Sequence, residues 1–143
     1  MSSPTDIRLD VPAGACPAGD GIAVGHGPVT VDAYIETVAT GTAAQVVALY
    51  AEGATVEDPV GTDVRTTRES ILEFYSVIEN FDQEAHLQTL RIAGNEAAFH
   101  FSLITKLGEQ TLTIAPIDVM TFDDDGKILS MRAFWNQEDM ITA

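Results

Sequence analysis

Two aspartates stand where the sequence pattern predicts the inside of the protein. In the predicted strand 110–122 the even positions are apolar except for Asp118; they are Leu112, Ile114, Pro116, Asp118, Met120 and Phe122. Burial disfavours a charged carboxylate, so we expect the pKa of Asp118 to lie well above its ordinary value. A protonated carboxyl can donate a hydrogen bond. The alternatives are a structural buried aspartate or an irregular strand at Pro116.

The second aspartate, Asp58, belongs to the stretch TVEDPVG at residues 55–61. If this stretch is extended, Val56 and Asp58 point to one side and Glu57 points to the other. Pro59 favours an extended backbone at Asp58. We therefore predict that Asp58 points inward and Glu57 toward solvent. The alternative is an Asp-Pro turn in which Asp58 bonds its own backbone.

A tyrosine supplies a third polar group on a predicted inner face. Tyr34 lies on the apolar stripe of a first helix, together with Val31 and Ile35. A buried phenol needs a hydrogen-bond partner. Tyr50 and Tyr75 are predicted on the inward faces of two further helices, from where both could donate to Tyr34. The alternative is an ordinary core ring with its hydroxyl at the rim.

One base and two donors in an apolar pocket can abstract a proton beside a carbonyl group. The reaction produces an enolate, and a carboxylate alone is a weak base for so weak an acid. Donors are needed where negative charge develops on the oxygen. Tyr34 and a protonated Asp118 could be those donors, while Asp58 takes the proton and returns it elsewhere.

Helical patterns in the first half of the domain predict three helices. Gly41 is expected to end the first helix, and the second is expected to run through about Ala51. Their starts are predicted at Thr30, at the capping box Thr42 and Gln45, and at the capping box Thr66 and Glu69.

Period-two patterns follow the helices and predict antiparallel strands. The candidate strands are 84–93, 96–106, 110–122 and 128–137. Helices followed by a long meander predict the α+β class, with three N-terminal helices packed on a curved, mainly antiparallel sheet. A pocket between helices and sheet is the expected ligand site.

Length and composition predict one domain with an unusual N-terminal segment. The chain has 143 residues, of which 45% are hydrophobic. Residues 1–28 are rich in Gly and Pro and contain no aromatic residue, which predicts a flexible tail before a single domain at 29–143. The net charge of −15 argues against nucleic acid and anionic membrane as partners, and is compatible with a neutral, apolar small molecule.

Other features predict a cytoplasmic protein without a metal. The chain has no apolar run long enough to span a membrane, no recognisable secretion signal and a single cysteine, Cys16. His26, His86 and His100 lack metal-ligand spacing. The Gly-rich stretch before residue 28 lacks the context of a phosphate loop, so no cofactor is expected.

Several segments resemble a known family. ALYAEGATVEDPVG, EFY, NEAAF, APIDVMTF and GKILSMRAFW are similar to the bacterial 3-oxo-Δ5-steroid Δ-isomerases, the ketosteroid isomerases, over residues 31–139. The resemblance implies a cone-shaped α+β fold shared with nuclear-transport-factor-like proteins. It also implies a cofactor-free shift of a steroid double bond from Δ5 to Δ4 through a dienolate.

The resemblance also implies roles for individual residues. Asp58 would be the general base, and Tyr34 and Asp118 the two oxyanion donors. The auxiliary tyrosines would be Tyr75 and Tyr50. Trp135 falls on an aromatic pocket position. A neutral aspartic acid that donates to an oxyanion is an established feature of ketosteroid isomerases themselves, so this idea comes from the family.

An apolar wall would bind a hydrophobic substrate by burial. The candidate wall residues are Phe74, Phe99, Phe101, Met131 and Trp135. Two alternatives stay open: a non-catalytic binder of hydrophobic molecules, and a cyclase or epoxide-hydrolase-like enzyme. The latter would need an arginine between two carboxylates, and Arg132 is predicted to face outward.

The outward sides of the central strands predict a homodimer. These positions carry Ile104, Ala115, Ile117 and Val119, which are too apolar for open water. Together with the family resemblance, they predict assembly through the sheet.

Overall fold

The computed structural model describes residues 30–143, so the predicted tail 1–28 and its boundary lie outside the described residues. Helix α1 occupies 30–40 from the start of the described part. The other helices are α2 (Ala43–Val47), α3 (Arg68–Ile78) and a 3-10 turn at Gln137–Asp139. The strands are β1 (Tyr50–Glu57), β2 (Asp82–Ala93), β3 (Glu96–Leu107), β4 (Gln110–Ile114), β5 (Ile117–Phe122), β6 (Ile128–Phe134) and β7 (Ile141–Thr142).

The two ends of α1 differ in how well the sequence predicted them. The helix ends at Gly41, whose N–H donates to the carbonyl of Thr37 at 2.7 Å. Thr30 is already helical and is therefore not the predicted cap. Its hydroxyl donates instead to the carbonyl of Gly126 at 2.7 Å, which ties α1 to the turn before β6.

Helix α2 starts as predicted and ends earlier. The capping box of Thr42 and Gln45 is present. The helix stops at Val47, and β1 begins at Tyr50 because this segment pairs in parallel with β6, where Tyr50 is opposite Ile128. The prediction of a helix through about Ala51 was therefore wrong, since a strand partner far along the chain overrides local propensity.

Helix α3 begins one residue later than predicted. Its N-cap is Thr67, whose side chain accepts the N–H of Ser70, so the predicted box of Thr66 and Glu69 is not the cap. Ile71 and Tyr75, on the apolar stripe of this helix, are buried in the core.

The seven strands form one sheet in the order β1-β6-β5-β3-β4-β7, with β2 paired to β3. All pairs are antiparallel except β1 with β6. Within the described residues the sheet does not close on itself. The predicted α+β class, with helices packed on a curved and mainly antiparallel sheet, is confirmed, and the parallel pair makes the sheet mixed.

The predicted strand 110–122 is in fact two strands. The chain leaves the ladder at Ala115 and Pro116, because proline has no N–H to donate. The first half of β3 pairs with β5 and its second half with β4. The alternation survives the break, since Pro116, Asp118, Met120 and Phe122 are buried while Ile117 is exposed.

The core lies between the helices and the inner face of the sheet. Its larger members from the strands are Tyr50, Val56, Phe99, Phe101, Met120, Phe122, Ile128 and Met131. Among residues 30–143, no helix is long and apolar enough to cross a membrane.

Candidate active site

Asp58 lies directly after β1, half-buried, on the side predicted from the sequence. Val56, two residues earlier, is 1% exposed. The Asp58 carboxylate accepts a hydrogen bond from the indole N–H of Trp135, with 2.7 Å between Nε1 and Oδ1. The peptide bond between Asp58 and Pro59 is cis. The carboxylate bonds Trp135, which directly follows β6, instead of its own backbone as in the alternative of an Asp-Pro turn.

Opposing effects act on the pKa of Asp58. Burial raises it above the ordinary value of an aspartic acid, while the hydrogen bond from Trp135 and the positive charge of Arg65 lower it. A carboxylate with this balance is more basic than an exposed one and is still held in the ionised form by two neighbours.

Glu57 points away from Asp58, as predicted, and forms two bonds at the surface instead of being free in solvent. Its side chain is 18% exposed, and its Oε1 accepts from Nε of Arg132 at 3.0 Å. Oε2 accepts the backbone N–H of Gly61 at 3.0 Å. These two contacts lower the pKa of Glu57, the Gly61 bond contributing most. Glu57 therefore stabilises the turn that carries Asp58. The N–H of Val60 in the same turn donates to the carbonyl of Ala133 at 2.8 Å.

Asp118 is buried in the middle of the sheet, as the alternation predicted. It lies on β5 between Phe99 of β3 and Ala133 of β6 and is 1% exposed. Burial raises its pKa well above the ordinary value, and the charge of Asp58 raises it further. Among the described residues, its Oδ1 has no hydrogen-bond partner. A neutral buried carboxyl with an unpaired oxygen is suited to a polar atom of a ligand.

Three tyrosine hydroxyls from three elements form a chain. The Tyr75 hydroxyl of α3 lies 3.0 Å from that of Tyr34 on α1 and 2.8 Å from that of Tyr50 on β1. Tyr50 therefore contacts Tyr75 and not Tyr34, and it does so from a strand rather than the predicted helix. Burial raises the pKa of all three phenols well above 10.0, so each keeps its proton.

The chain of hydroxyls leaves one proton for a ligand. Two hydrogen bonds among three hydroxyls use two protons. If Tyr50 donates to Tyr75 and Tyr75 donates to Tyr34, the Tyr34 proton is free to donate outside the chain. The Tyr34 ring packs edge-on against Phe99, at 6.3 Å between centroids, and Phe99 is the strand partner of Asp118.

The structure brings the three predicted catalytic residues into one site. Burial and Tyr50 raise the pKa of Tyr34 most, and Asp118 and Asp58 raise it further whenever they are ionised. The charge of Asp58 acts on Asp118 in the same way. An oxygen atom between Tyr34 and Asp118 would meet two neutral donors, with a carboxylate nearby.

The predicted wall residues surround these groups to different extents. Phe74 packs against Tyr75 at 4.9 Å between ring centroids, and Phe99 packs against Phe101 at 5.6 Å. Met131 is completely buried, whereas Phe74 and Trp135 are half-buried. Tyr34 and Asp118 are buried, whereas Asp58, Phe74 and Trp135 are half-buried, so these three are the most exposed members of the site.

Two surface cavities lie elsewhere on the molecule. One, of about 350 Å³, lies between α1 and β2 and is lined by residues that include Ile35 and His86. The other, of about 410 Å³, lies between α2 and α3 and is lined by residues that include Val47 and Arg68. Neither contains the predicted catalytic residues, and the chemistry of the buried cluster is a stronger argument for the site than cavity size.

Sequence reasoning missed Arg65 and the donor role of Trp135. Arg65 lies on the chain that returns after the turn, opposite Val56. Its Nη1 donates to the carbonyl of Ser70 at 2.9 Å and to its hydroxyl at 3.1 Å. No local pattern marks this arginine, since only the return of the chain brings it beside the site. The family resemblance implied a pocket role for the ring of Trp135, whereas the structure shows its N–H as a donor to Asp58.

The described part of the chain contains no cluster of His, Cys, Asp and Glu side chains that could hold a metal ion. The groups that could act on a ligand here are a carboxylate, a neutral carboxyl and a phenol.

Comparison with known proteins places this chain in a family. Residues 31–131 match the SnoaL-like domain. A steroid Delta-isomerase from Nocardioides simplex is 46% identical over 108 residues, which cover 76% of this chain and 88% of that protein.

Two solved structures share the fold. One is SalBIII, an epoxide hydrolase/cyclase-like enzyme of pyran ring formation in the polyether salinomycin, with a TM-score of 0.76 and 28% identity over 82% of this chain and 95% of that one. The other is a computationally designed 17-OHP binder, with a TM-score of 0.73 and 13% identity over 82% of this chain and 96% of that one. The family resemblance seen in the sequence is confirmed: the chain has a SnoaL-like domain and belongs to the ketosteroid isomerase family.

Proposed function

We propose that the protein is a steroid Δ-isomerase that moves the double bond of a 3-oxo-Δ5-steroid into conjugation. The observation that carries this proposal is the buried Asp118 carboxyl, with its unpaired oxygen, in one site with Tyr34 and Asp58. The 46% identity to a steroid Delta-isomerase supports the same reaction.

The proposed reaction moves one proton within the substrate. The Asp58 carboxylate removes a proton from the carbon between the carbonyl and the double bond. The electrons of that C–H bond form a new C=C bond, and the carbonyl π electrons move to the oxygen, which gives a dienolate. Asp58 then returns the proton to the far end of the dienolate. The carbonyl re-forms, the double bond is conjugated with it, and Asp58 is again ionised.

Tyr34 and Asp118 would stabilise the dienolate oxygen. Burial keeps both groups protonated, so each can donate where negative charge develops. Removal of one such donor costs on the order of 10²–10³ in rate in other oxyanion holes. Their protons stay in place, since the pKa of each is raised.

The enzyme alternative on the same fold is less well supported. A cyclase or epoxide-hydrolase-like site would need an arginine held between two carboxylates of the site. Arg132 is exposed, as predicted, and donates to Glu57. Arg65 acts on Asp58 through its charge, but the other carboxylate it pairs with, Glu73, has a side chain that is 80% exposed and does not belong to the buried site. The SalBIII likeness therefore supports the shared fold. The non-catalytic binder differs from the isomerase only in turnover, so an assay separates them.

We also infer a homodimer through the outer face of the sheet. Ile117 and Phe134 are strand partners and are 48% and 42% exposed, although both are apolar. Such a patch favours a protein partner, and a second copy is the partner that the family resemblance implies. Sedimentation or light scattering at micromolar concentration would give a monomer mass if this inference is wrong. The cytoplasmic location stays a prediction from the sequence.

Turnover of a β,γ-unsaturated 3-ketosteroid tests the proposed function, because the conjugated product absorbs in the ultraviolet. Asp58→Asn should retain its fold and ligand binding and lose about 10²–10⁴-fold in rate. Near-normal turnover in this variant would exclude Asp58 as the base. Binding without turnover in the wild-type protein would favour the non-catalytic alternative.

A further inference from the structure

Arg65 lies on the same side of the chain as the proposed base. Its N–H donates to the carbonyl of Val56 at 2.7 Å, and the N–H of Val56 donates to the carbonyl of Arg65 at 3.0 Å. Directly opposed residues of an antiparallel pair project to the same face, and Asp58 follows Val56 by two residues. The side chains of Arg65 and Asp58 are therefore diagonal neighbours.

The guanidinium group of Arg65 is held in place by α3. It donates to both the carbonyl and the hydroxyl of Ser70, at 2.9 and 3.1 Å, and lies over the Phe74 ring at 5.1 Å from the centroid. Glu73 is 3.8 Å away with a side chain that is 80% exposed, so this ion pair is weak. The guanidinium group is thus held against α3 by neutral groups and one weak ion pair.

The other side chains around Asp58 place little positive charge beside it. From α1, α3 and β1 come the phenols of Tyr34, Tyr75 and Tyr50, which are neutral. From β5 comes Asp118, which burial keeps protonated.

The remaining neighbours of Asp58 come from β6 and its extension. Trp135 is an uncharged donor. Arg132 is bonded to Glu57, whose side chain alternates to the other face of β1. Within the described part of the chain, Arg65 is the cation whose charge acts on Asp58.

We propose that Arg65 is a positioning residue of this site, which keeps Asp58 in the carboxylate form and ties the end of β1 to α3. Its effect on turnover rests on the proposed function, whereas its effect on Asp58 itself does not. Arg65 takes no part in moving the proton.

The expected direction of the change in the pKa of Asp58 follows from the positive charge of Arg65. Without Arg65, the pKa of Asp58 rises further, because burial is then opposed by Trp135 alone. A smaller fraction of Asp58 is ionised at acidic pH, so kcat/KM falls on the acid side. At higher pH Asp58 is ionised in both proteins, and most of the loss disappears.

The experiment measures the titration of Asp58 directly. Carboxyl carbons of aspartate are labelled with ¹³C, and the Asp58 signal is assigned by its absence in Asp58→Asn. In Arg65→Gln, Asp58 should titrate at higher pH than in the wild type. In Arg65→Lys, which keeps the charge, it should titrate close to the wild type. Arg132→Gln is the matched control, since it removes a positive charge next to Glu57 and should leave the titration of Asp58 unchanged.

The pH profile of kcat/KM for the same proteins gives the second measurement. The acid limb of Arg65→Gln should move to higher pH, and those of Arg65→Lys and Arg132→Gln should not. An unchanged titration of Asp58 in Arg65→Gln, or an equal change in Arg132→Gln, would overturn the proposal.

Two further outcomes are also decisive. If no steroid is turned over by the wild type, the proposed function fails, while the titration still decides the role of Arg65. Arg65→Met keeps the packing on Phe74 and replaces Arg65→Gln if that variant does not fold. If neither neutral variant folds, the proposal is also overturned, because Arg65 would then act on the whole fold.

Discussion

The indole N–H of Trp135 donates to the carboxylate of Asp58 across 2.7 Å. The two residues are 77 positions apart in the chain, and the parallel pairing of β1 with β6 brings them together. The indole is uncharged and its bond favours the ionised form of Asp58, which burial opposes.

This contact predicts a change in pH dependence for Trp135→Phe. Phenylalanine retains an aromatic ring but has no N–H that could donate to Asp58. The pKa of Asp58 should therefore rise, and kcat/KM should fall on the acid side of the profile. Activity should recover toward higher pH, where Asp58 is ionised in both proteins. A full pH profile of kcat/KM for both proteins checks this. Uniform loss at every pH would show that the ring, and not its N–H, matters.

Substitutions of Asp118 test its role as a neutral donor. Asp118→Asn keeps a donor of similar shape and should retain much more activity than Asp118→Ala, which should lose on the order of 10²–10³ in rate. The effects of Asp118 and Tyr34 need not add, because each donor can partly compensate for the other. Steady-state rates for the wild type, Asn and Ala proteins decide. Equal and complete loss in both variants would indicate an ionised second base instead.

The raised pKa of Asp118 also predicts how stability depends on pH. Its pKa is higher in the folded than in the unfolded protein, so its stabilising effect is full below the unfolded pKa and is lost as pH rises through the folded pKa. Asp118→Asn cannot ionise and avoids this loss. The melting temperature of Asp118→Asn should therefore exceed that of the wild type increasingly as pH rises. A difference that stays constant between pH 4 and pH 9 would contradict the burial of a neutral acid.

Glu57 should affect the rate without changing the titration of the base. Its two oxygens fasten the turn that carries Asp58, through Gly61 and Arg132. Its charge is not among the causes that shift the pKa of Asp58. Glu57→Ala should therefore lower kcat more than it changes KM, with the acid limb in place. Glu84→Ala is the control, because Glu84 lies on β2 and pairs with Lys106 at 3.8 Å. A shifted acid limb in Glu57→Ala would show an electrostatic role.

Local patterns in the sequence were sufficient to predict several features. The alternation around Asp118 predicted its burial, because side chains of a strand alternate between faces even where Pro116 interrupts the ladder. The stripe on α1 predicted that Tyr34 is buried, because residues three and four apart share a helix face. Antiparallel strands after helices predicted the α+β class. The family resemblance then implied one catalytic site for Asp58, Tyr34 and Asp118.

Other features were decided only by tertiary structure. Tyr50 belongs to β1 because its pairing partner, Ile128, is far along the chain, and no local pattern reports such a partner. The sequence predicted that Glu57 faces solvent, and only the pairing of β1 with β6 shows that Arg132 lies beside it. Arg65 lies beside the site only because the chain returns and pairs it with Val56. The periodicity of apolar residues indicates which face of its own helix or strand a side chain occupies. Hydrogen bonds and charge interactions between elements depend on which elements are neighbours in the fold.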